Sequence, residues 1–420
     1  MPINKAPYIR YSEETSVVDY GSTGAEIPVF IAPSKVVKNG NYTAVTTVDT
    51  VYTVSSFKQA QSLFDDPART SSTSPSELVT VLSNFFEENS YYYGDELGAS
   101  YVYVIPLPLS PTVANLSSAL DLITKKKDVQ VISVLGINDL SGVATELAVE
   151  LKNQADDGFF RIAYLKAPAN AQTTYQNAVK NVYASGYDDD TDGQTALNTF
   201  VTTNATTYAK AIALINKKIN NARICLVEPD FYGYHIAKIC NTPYYLEAGY
   251  LPYYSVDVGE FEELTVSERD ARLMSGLIFG EDDYTLEEIV PRMCLGVSSA
   301  FGRTPDSTDE EYKTRIVDSL LHARRNVDHQ IREIYKIIAP QLKRNETSVT
   351  IRYVQDEVMS YLDGELDAGN IMQYEFSVQE SSYNPYCLLV TGKIVPVNST
   401  LAIEFKNTIG SPYAVASDYI

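Results

Sequence analysis

Two sets of side chains in this 420-residue sequence have the types and order that could support chemistry. The first is His235 followed by Ser298 and Ser299, because a histidine that accepts a serine proton is the basis of nucleophilic hydrolysis. No Gly-x-Ser-x-Gly elbow accompanies these serines. Since such a site is defined by geometry and not by composition, the sequence favours His235 as a packed or surface residue.

The second set is Asp188, Asp190 and Asp192, followed by Gly193. Alternate carboxylates before a glycine match the first half of a calcium-binding loop. The bidentate glutamate expected at the last position is replaced by Thr199, so a solvated acidic loop is favoured and weak calcium binding is left open. No Gly-rich phosphate loop and no cluster of His and Cys is found, so we predict no cofactor and no metal.

Two other groups of side chains could form contact surfaces. The Tyr-rich stretch 244–254 could stack on sugars or on a host surface, but packing within or between subunits is favoured. A long helical pattern carries several cations on its polar side: Arg315, Arg324, Arg325, Arg332 and Lys336. These cations could form a contact surface, and the alternative is a solvated helix face with i,i+4 pairs such as Asp328 with Arg332.

Composition limits the class of protein. The length predicts two or three domains, and 45% hydrophobic with 21% charged residues is typical of a globular protein. A formal charge of −21 argues against nucleic-acid binding, because phosphates would be repelled. Neither a signal-peptide core nor a membrane-spanning stretch is found. The four cysteines are too scattered for a disulfide framework, and three lie in apolar runs, which indicates reduced core residues.

Strands and helices alternate through most of the chain. The continuous apolar runs 129–135, 159–165 and 224–227 predict buried strands, and 143–155 and 208–219 predict helices. The sequence therefore predicts an α/β fold with a mostly parallel sheet and helices on both sides. Earlier in the chain, Asn39-Gly40-Asn41 predicts a hairpin turn.

The pattern changes after residues 302–308, which have the composition of a linker. A long amphipathic helix is predicted from 312 to 338, where Pro340 stops it, and a second helix ends near Gly369. Alternating strands are predicted over 372–378, 387–397 and 401–405. This part therefore reads as a separate α+β domain.

Two stretches resemble the tail sheath proteins of contractile phage tails and related contractile injection systems. The first begins with Val54-Ser55-Ser56-Phe57, continues through a helix ending in Phe85-Phe86-Glu87-Glu88-Asn89, and closes with the strand 100–105. The second has the closing order of elements of the family: Gly369-Asn370-Ile371, Asn384-Pro385, Gly392–Val397 and Ile403-Glu404-Phe405. The chain departs from the family at residues 294–299, where a Trp-Gly-Ala-Arg-Thr-like stretch is usual.

The resemblance implies an outer α/β domain of subtilisin-like topology and an inner α+β assembly domain. The expected divisions are an extended N-terminal arm, the outer domain, the inner domain and a tail: 1–21, 22–301, 302–408 and 409–420. The basic helix is expected to face an inner tube through Arg324, Arg325, Arg332 and Lys336. Strands expected to pair with neighbouring subunits contain Tyr8, Ile9, Tyr11, Val17, Val18, Leu401, Ile403 and Phe405.

By the same resemblance, the protein is a structural subunit and not an enzyme. It is expected to polymerise helically around a tube, as stacked hexameric rings, and to contract so that the tube crosses a cell envelope. Expected partners are other copies, the tail tube protein, and baseplate and tail terminator proteins, without nucleic acid or membrane insertion. The expected location is a virion tail or an extracellular contractile particle, assembled in a host cytoplasm. A non-contractile surface or baseplate protein and a subtilisin-like hydrolase are the alternatives.

Overall fold

The structure is a computed structural model that describes residues 26–70, 73–91, 99–124, 126–156, 159–246, 252–256, 264–283, 288–292, 320–341, 348–380 and 388–397. Several sequence predictions lie outside these residues. They are the two arms, the 302–308 linker, the tail after 408, and the residues Ser298, Ser299, Arg315, Cys294 and Cys387.

The described residues up to 292 form ten strands: β1 Ile27–Pro33, β2 Lys35–Lys38, β3 Asn41–Ala44, β4 Tyr52–Val54, β5 Val102–Leu107, β6 Val129–Val134, β7 Ile162–Lys166, β8 Ile224–Val227, β9 Leu277–Asp283 and β10 Glu288–Arg292. Eight of them form one sheet in the order β10-β9-β8-β7-β6-β1-β5-β4. The six strands from β9 to β5 in this order are parallel to their neighbours, and β10 and β4 are antiparallel at the edges. The predicted mostly parallel sheet is confirmed.

The order of the six parallel strands is that of a doubly wound sheet, in which β1 lies between β5 and β6. The described strands share the parallel α/β character of the expected subtilisin-like topology. Their order, however, is closer to that of flavodoxin-like sheets. β2 and β3 form a separate hairpin, which confirms the turn predicted at Asn39-Gly40-Asn41, and Asn39 and Gly40 have positive φ in it.

Nine helices accompany these strands in the described residues: α1 Phe57–Phe64, α2 Glu77–Ser90, α3 Val113–Ile123, α4 Leu140–Asp156, α5 Gln172–Tyr183, α6 Thr191–Asn204, α7 Tyr208–Ile219, α8 Tyr232–Asn241 and α9 Val266–Ser275. Helices α3 to α7 pack on one face of the sheet, and α1, α2 and α8 pack on the other. The predicted helices 143–155 and 208–219 are confirmed as α4 and α7.

Residues of β1 show why both faces are covered. Val29 and Ile31 point into one apolar cluster, while Phe30 and Ala32 point into the other, and all four are buried. A strand buried on both faces must be apolar without alternation, which is the pattern seen in the sequence. Cys225 and Cys240 lie in the second cluster and are free thiols. We call residues 26–292 of the described chain the α/β body.

The last described part consists of α10 Leu321–Ile338, α11 Ser348–Asp367, β11 Ile371–Glu380 and β12 Leu388–Pro396. Strands β11 and β12 form an antiparallel ladder that packs on the two helices. Gly369 has φ +75° after α11, and its N–H donates to the Leu366 carbonyl at 3.0 Å, so the predicted C-cap is confirmed. We call this part the C-terminal unit. None of the helices described here is both long and apolar enough to span a membrane.

Candidate functional site

In doubly wound folds, chemistry takes place at the carboxyl edge of the sheet, where the connections of two adjacent strands diverge. Here these strands are β1 and β6. Gly136, just after β6, has φ +66°, and a Cβ added there would lie 2.7 Å from the Pro33 ring. Beside them the Lys166 Nζ lies 2.7 Å from the Glu77 Oε1. This edge of the sheet is therefore occupied by the close contact of the Gly136 backbone with the Pro33 ring and by the Lys166–Glu77 ion pair.

His235 lies in α8 and is fully buried. Its Nδ1 is 3.1 Å from the Tyr253 hydroxyl. Burial, together with the charges of Lys238 and Arg325, lowers the pKa of His235 to about 3, so the ring is neutral at pH 7. The packed interpretation of His235 is confirmed, and the two serines considered with it lie outside the described residues.

The three aspartates before Gly193 belong to the start of α6. The Asp190 carboxylate accepts a hydrogen bond from the Gly193 N–H at 2.7 Å and is the N-cap of the helix. A Cβ on Gly193 would lie 2.1 Å from the Asp188 carbonyl oxygen, which explains the glycine. Asp188 and Asp192 are exposed. Across the part of the chain that is described, no three His, Cys, Asp or Glu side chains converge to hold a metal ion.

The Tyr-rich stretch packs within the subunit where it is described. Tyr244 stacks on His329 of α10, with ring centroids 3.5 Å apart and an interplanar angle of 10°. Tyr253 is buried and stacks on Phe231. Tyr254 is 42% exposed and stacks on the exposed Tyr91. Packing within the subunit is confirmed for Tyr244 and Tyr253.

The acidic-Asn corner at the end of α2 contacts three distant segments. The buried Glu88 carboxylate accepts hydrogen bonds from the Ser255 N–H and hydroxyl, at 2.9 and 2.7 Å. The Asn89 Oδ1 accepts from the Ala99 N–H at 3.0 Å and from the Asn241 side-chain amide at 3.0 Å. In this protein the motif therefore joins the end of α2 to the segment 252–256, to the residues just before β5 and to the end of α8.

Two of the four cations predicted to face a tube lie buried on α10. Arg325 is 3% exposed and Arg332 is 4% exposed, so both side chains lie inside the subunit. The Arg325 guanidinium donates to the carbonyls of Thr242 at 2.6 Å and Ile239 at 3.1 Å, both at the end of α8. Charges spaced along a helix predicted a polar face, but here backbone carbonyls of another helix compensate the buried charge.

The predicted partner of Asp328 is also wrong. Its carboxylate accepts both Arg223 guanidinium nitrogens, at 2.7 and 2.8 Å, across the boundary between α10 and the α/β body. Arg332 instead donates its Nε hydrogen to the Asp328 backbone carbonyl at 3.3 Å. The predicted i,i+4 pair is therefore replaced by a bidentate pair between distant segments.

Two of the predicted tube-facing cations remain accessible. Arg324 is half-buried, and Lys336 is exposed with its Nζ 2.6 Å from the Glu333 carboxylate. Most exposed charged side chains described on α11 and the two strands are acidic. These anions are Asp356, Glu357, Asp363, Asp367, Glu375 and Glu380, against the cations Arg352 and Lys393.

The ladder of β11 and β12 provides the second feature of this end of the molecule. Within the described chain each strand pairs only with the other, over nine to ten residues. Each strand therefore presents one edge of backbone N–H and C=O groups that no described strand covers. Such long edges are templates for strand addition by another chain.

Comparison with solved structures gives one consistent result. The chain matches the structure described as the anti-feeding prophage (AFP) baseplate, 6-fold symmetrised, with a TM-score of 0.61 and 14% identity, over 97% of this chain and 100% of that chain. The AFP helical sheath in the contracted state matches with a TM-score of 0.59 and 14% identity, over 97% and 99% of the two chains. The chain has the sheath-protein fold.

The sheath complex of the extracellular contractile injection system PVC, in the contracted state, matches with a TM-score of 0.56 and 11% identity, over 97% and 98% of the two chains. No protein-family model and no curated protein matches the chain. At these identities the similarity establishes the fold, and the sheath-like sequence motifs agree with it.

Proposed function

We propose that the chain is the structural subunit of a contractile sheath, which polymerises helically around an inner tube and contracts to drive the tube through a cell envelope. The observation that carries this proposal is the extent of the structural similarity. It covers 97% of this chain and 98–100% of three sheath or baseplate chains, and so includes the C-terminal unit as well as the common α/β body. A likeness restricted to the α/β body would support many functions.

Assembly by strand addition follows from the C-terminal unit. The edges of β11 and β12 that no described strand covers are the acceptors in this proposal, and the predicted arms 1–21 and 401–408 of neighbouring subunits are the donors. Because donor and acceptor are different surfaces, the contact is heterologous, and a heterologous contact that does not close gives a helical polymer.

Partners and location are part of the same proposal. We expect stacked rings of this chain, a tube protein inside them, and baseplate and terminator proteins at the ends, in a virion tail or an extracellular particle. Catalysis has no place in this mechanism. The free energy of contraction comes from subunit contacts that are better matched in the contracted lattice, with a barrier that holds the extended one.

For the tube contact, the buried positions of Arg325 and Arg332 leave Arg324 and Lys336 as candidates on α10. Reversing both to Glu should weaken co-assembly with the tube most strongly at low salt, since exposed charges are screened by ions. Polymerisation of the sheath alone should be retained. Unchanged tube binding by the double variant would remove α10 from the tube contact.

The proposal is tested by negative-stain microscopy of the purified chain and of a variant lacking residues 1–20. We expect hollow tubes from the full chain, and a folded, soluble monomer without tubes from the truncated one. Ordered tubes formed by the truncated chain would contradict the role of the arm. Isolated particles from the full chain, at concentrations where arms should engage, would contradict the sheath itself.

Contraction can be tested on intact particles. Mild acid or denaturant should shorten them irreversibly without ATP or calcium, and structures of both states should superpose within each domain. A requirement for nucleotide hydrolysis, or refolding of the 110–290 core, would contradict this mechanism while leaving the sheath assignment in place.

A further inference from the structure

Arg325 joins three segments of the chain at one buried point. Its own backbone lies in the second turn of α10. Its Nη2 donates to the carbonyls of Ile239 and Thr242, and its Nε lies 3.4 Å from the Glu26 carboxylate. The guanidinium therefore contacts the α/β body at the end of α8 and the residue that immediately precedes β1.

Glu26 is held in place by its backbone as well as by its side chain. Its N–H donates to the Cys240 carbonyl at 2.9 Å, and the next N–H, of Ile27, donates to the Gln130 side chain at 2.9 Å. The Glu26 side chain is 13% exposed. The point at which residues 1–25 join the α/β body is thus in direct contact with the first helix of the C-terminal unit.

The chemistry of the contact suits a fixed geometry. A guanidinium carries five N–H donors in a rigid fork, so its bonds to two carbonyls orient the nitrogen that faces Glu26. The carbonyls at the end of α8 also carry the partial negative charge of a helix C-terminus, which favours a cation there. We expect Arg325 to keep both carbonyl partners when Glu26 is replaced, so that only its side-chain link to the N-terminal segment is removed.

We propose that Arg325 and Glu26 form a positioning pair that fixes where the N-terminal arm leaves the subunit relative to the edges of β11 and β12. This inference rests on the proposed assembly by strand addition. Each subunit in such a lattice is donor and acceptor at once, so both must keep one relative placement. Losing that placement lowers the effective concentration of the arm at the neighbouring edge.

The test compares Glu26→Ala with a matched variant that breaks another contact of α10. The control is Arg223→Met/Asp328→Leu, which removes an ion pair between the C-terminal unit and the α/β body without touching Glu26. We expect Glu26→Ala to fold with a lower melting temperature, because the Arg325 charge stays buried with only the two carbonyls to compensate it, so assembly is compared well below the melting temperature of every variant. Its threshold concentration for forming tubes should rise about tenfold, while that of the control changes about twofold or less.

Glu26→Gln should give an intermediate threshold, because the amide oxygen still accepts a hydrogen bond without the charge. Equal thresholds for Glu26→Ala and the original chain would overturn the inference. So would an equal rise in the control, which would show that any change in the contact between α10 and the α/β body impairs assembly.

Hydrogen exchange on the monomers separates this inference from the proposed function, since it needs no polymer. In Glu26→Ala the backbone amides at positions 26 and 27 should exchange about tenfold faster than in the original chain, whereas in the control they should be unchanged. If the original chain forms no tubes but this difference is seen, the sheath proposal fails and the local pair stands. If exchange at these amides is unchanged, the positioning pair is wrong whatever the chain assembles into.

Discussion

The interior of the α/β body and its contact with the C-terminal unit are stabilised by different interactions. Inside the body, two apolar clusters cover the two faces of the sheet. The contact between α10 and the body includes Leu321, which lies in the second of these clusters. It also has many polar groups: the Arg223–Asp328 pair, the carbonyls that bind Arg325, and the Tyr244–His329 stack. Apolar burial is not directional, whereas these bonds require particular distances and angles.

The two regions also differ in how far they can stand alone. The apolar core of the C-terminal unit has six buried side chains: Ile334, Val354, Val358, Leu362, Ile371 and Val378. A unit of this size buries too little apolar surface to be strongly stable by itself. We infer that its order depends on docking to the body, while the body does not depend on the unit. The predictions below test this asymmetry.

The largest effect is expected in the core of the body. Phe85 is fully buried and makes an edge-to-face contact with Phe30, with ring centroids 5.4 Å apart. Phe85→Ala should lower the free energy of unfolding by about 3–5 kcal/mol, because it leaves a cavity and removes the ring contact. Urea unfolding followed by circular dichroism measures this. Val266→Ala, at a side chain 63% exposed, is the control and should change it by less than about 0.5 kcal/mol.

The next effect concerns the docking contact. Asp328→Ala leaves the Arg223 guanidinium buried without its carboxylate, which should cost about 3–5 kcal/mol and loosen the C-terminal unit. Arg223→Met/Asp328→Leu should recover most of this loss, because a buried ion pair is worth little more than apolar groups of similar volume. Limited proteolysis of α10 and α11 measures the loosening. If the double variant is digested as fast as the single one, docking depends on the pair itself.

The sequence predicted the elements of the α/β body better than the contacts between that body and the C-terminal unit. Buried strands and helices of the body follow from runs such as 129–135, because an apolar strand between two helix layers has few alternatives. Helix α10 was predicted as a helix, but its Arg325 was placed on the wrong side. Arg325 is compensated by the carbonyls of Ile239 and Thr242, more than 80 residues away, and a backbone carbonyl leaves no mark on the sequence.

Other functional contacts left a partial signal. Glu88 and Asn89 stand out as polar residues at the end of an apolar helix, but only the fold reveals that they bind Ser255 and Asn241. β11 and β12 could be predicted as strands from the alternation of their residues. That they pair only with each other, among the described strands, required the topology.

Acid should act on both regions through two buried histidines. Burial lowers the pKa of His235 in the body to about 3, helped by Lys238 and Arg325. It does the same for His329 at the docking contact, helped by Arg332, Lys336 and Arg325. Both rings are neutral when packed but bind a proton below about pH 6.5 when released. Their contribution is therefore complete above pH 6.5 and is lost as the pH falls towards 3.

As the pH falls below 6.5, the loss of stability from each histidine should steepen towards about 1.4 kcal/mol per pH unit. Glu228 acts in the opposite direction over this range, because burial raises its pKa to about 7, and it does so equally in the original chain and in both variants. His235→Phe should flatten the pH dependence of unfolding of the body. His329→Phe keeps a ring to stack on Tyr244 and should flatten only the pH dependence of proteolysis in the C-terminal unit. If either variant changes both profiles equally, the two regions are one cooperative unit and the asymmetry is wrong.

The smallest effect is expected on the exposed surface of the body, at the start of α6. Asp190→Ala removes the N-cap hydrogen bond to the Gly193 N–H and should cost about 1 kcal/mol. Asp188→Asn and Asp192→Asn should change stability by less than about 0.5 kcal/mol, because both side chains are exposed. Millimolar calcium distinguishes the cap from an ion site, since an ion that binds only the folded state raises the melting temperature. We expect no rise in the original chain. A rise that is lost in all three variants would show that these carboxylates bind calcium together, and that the cap is only part of their role.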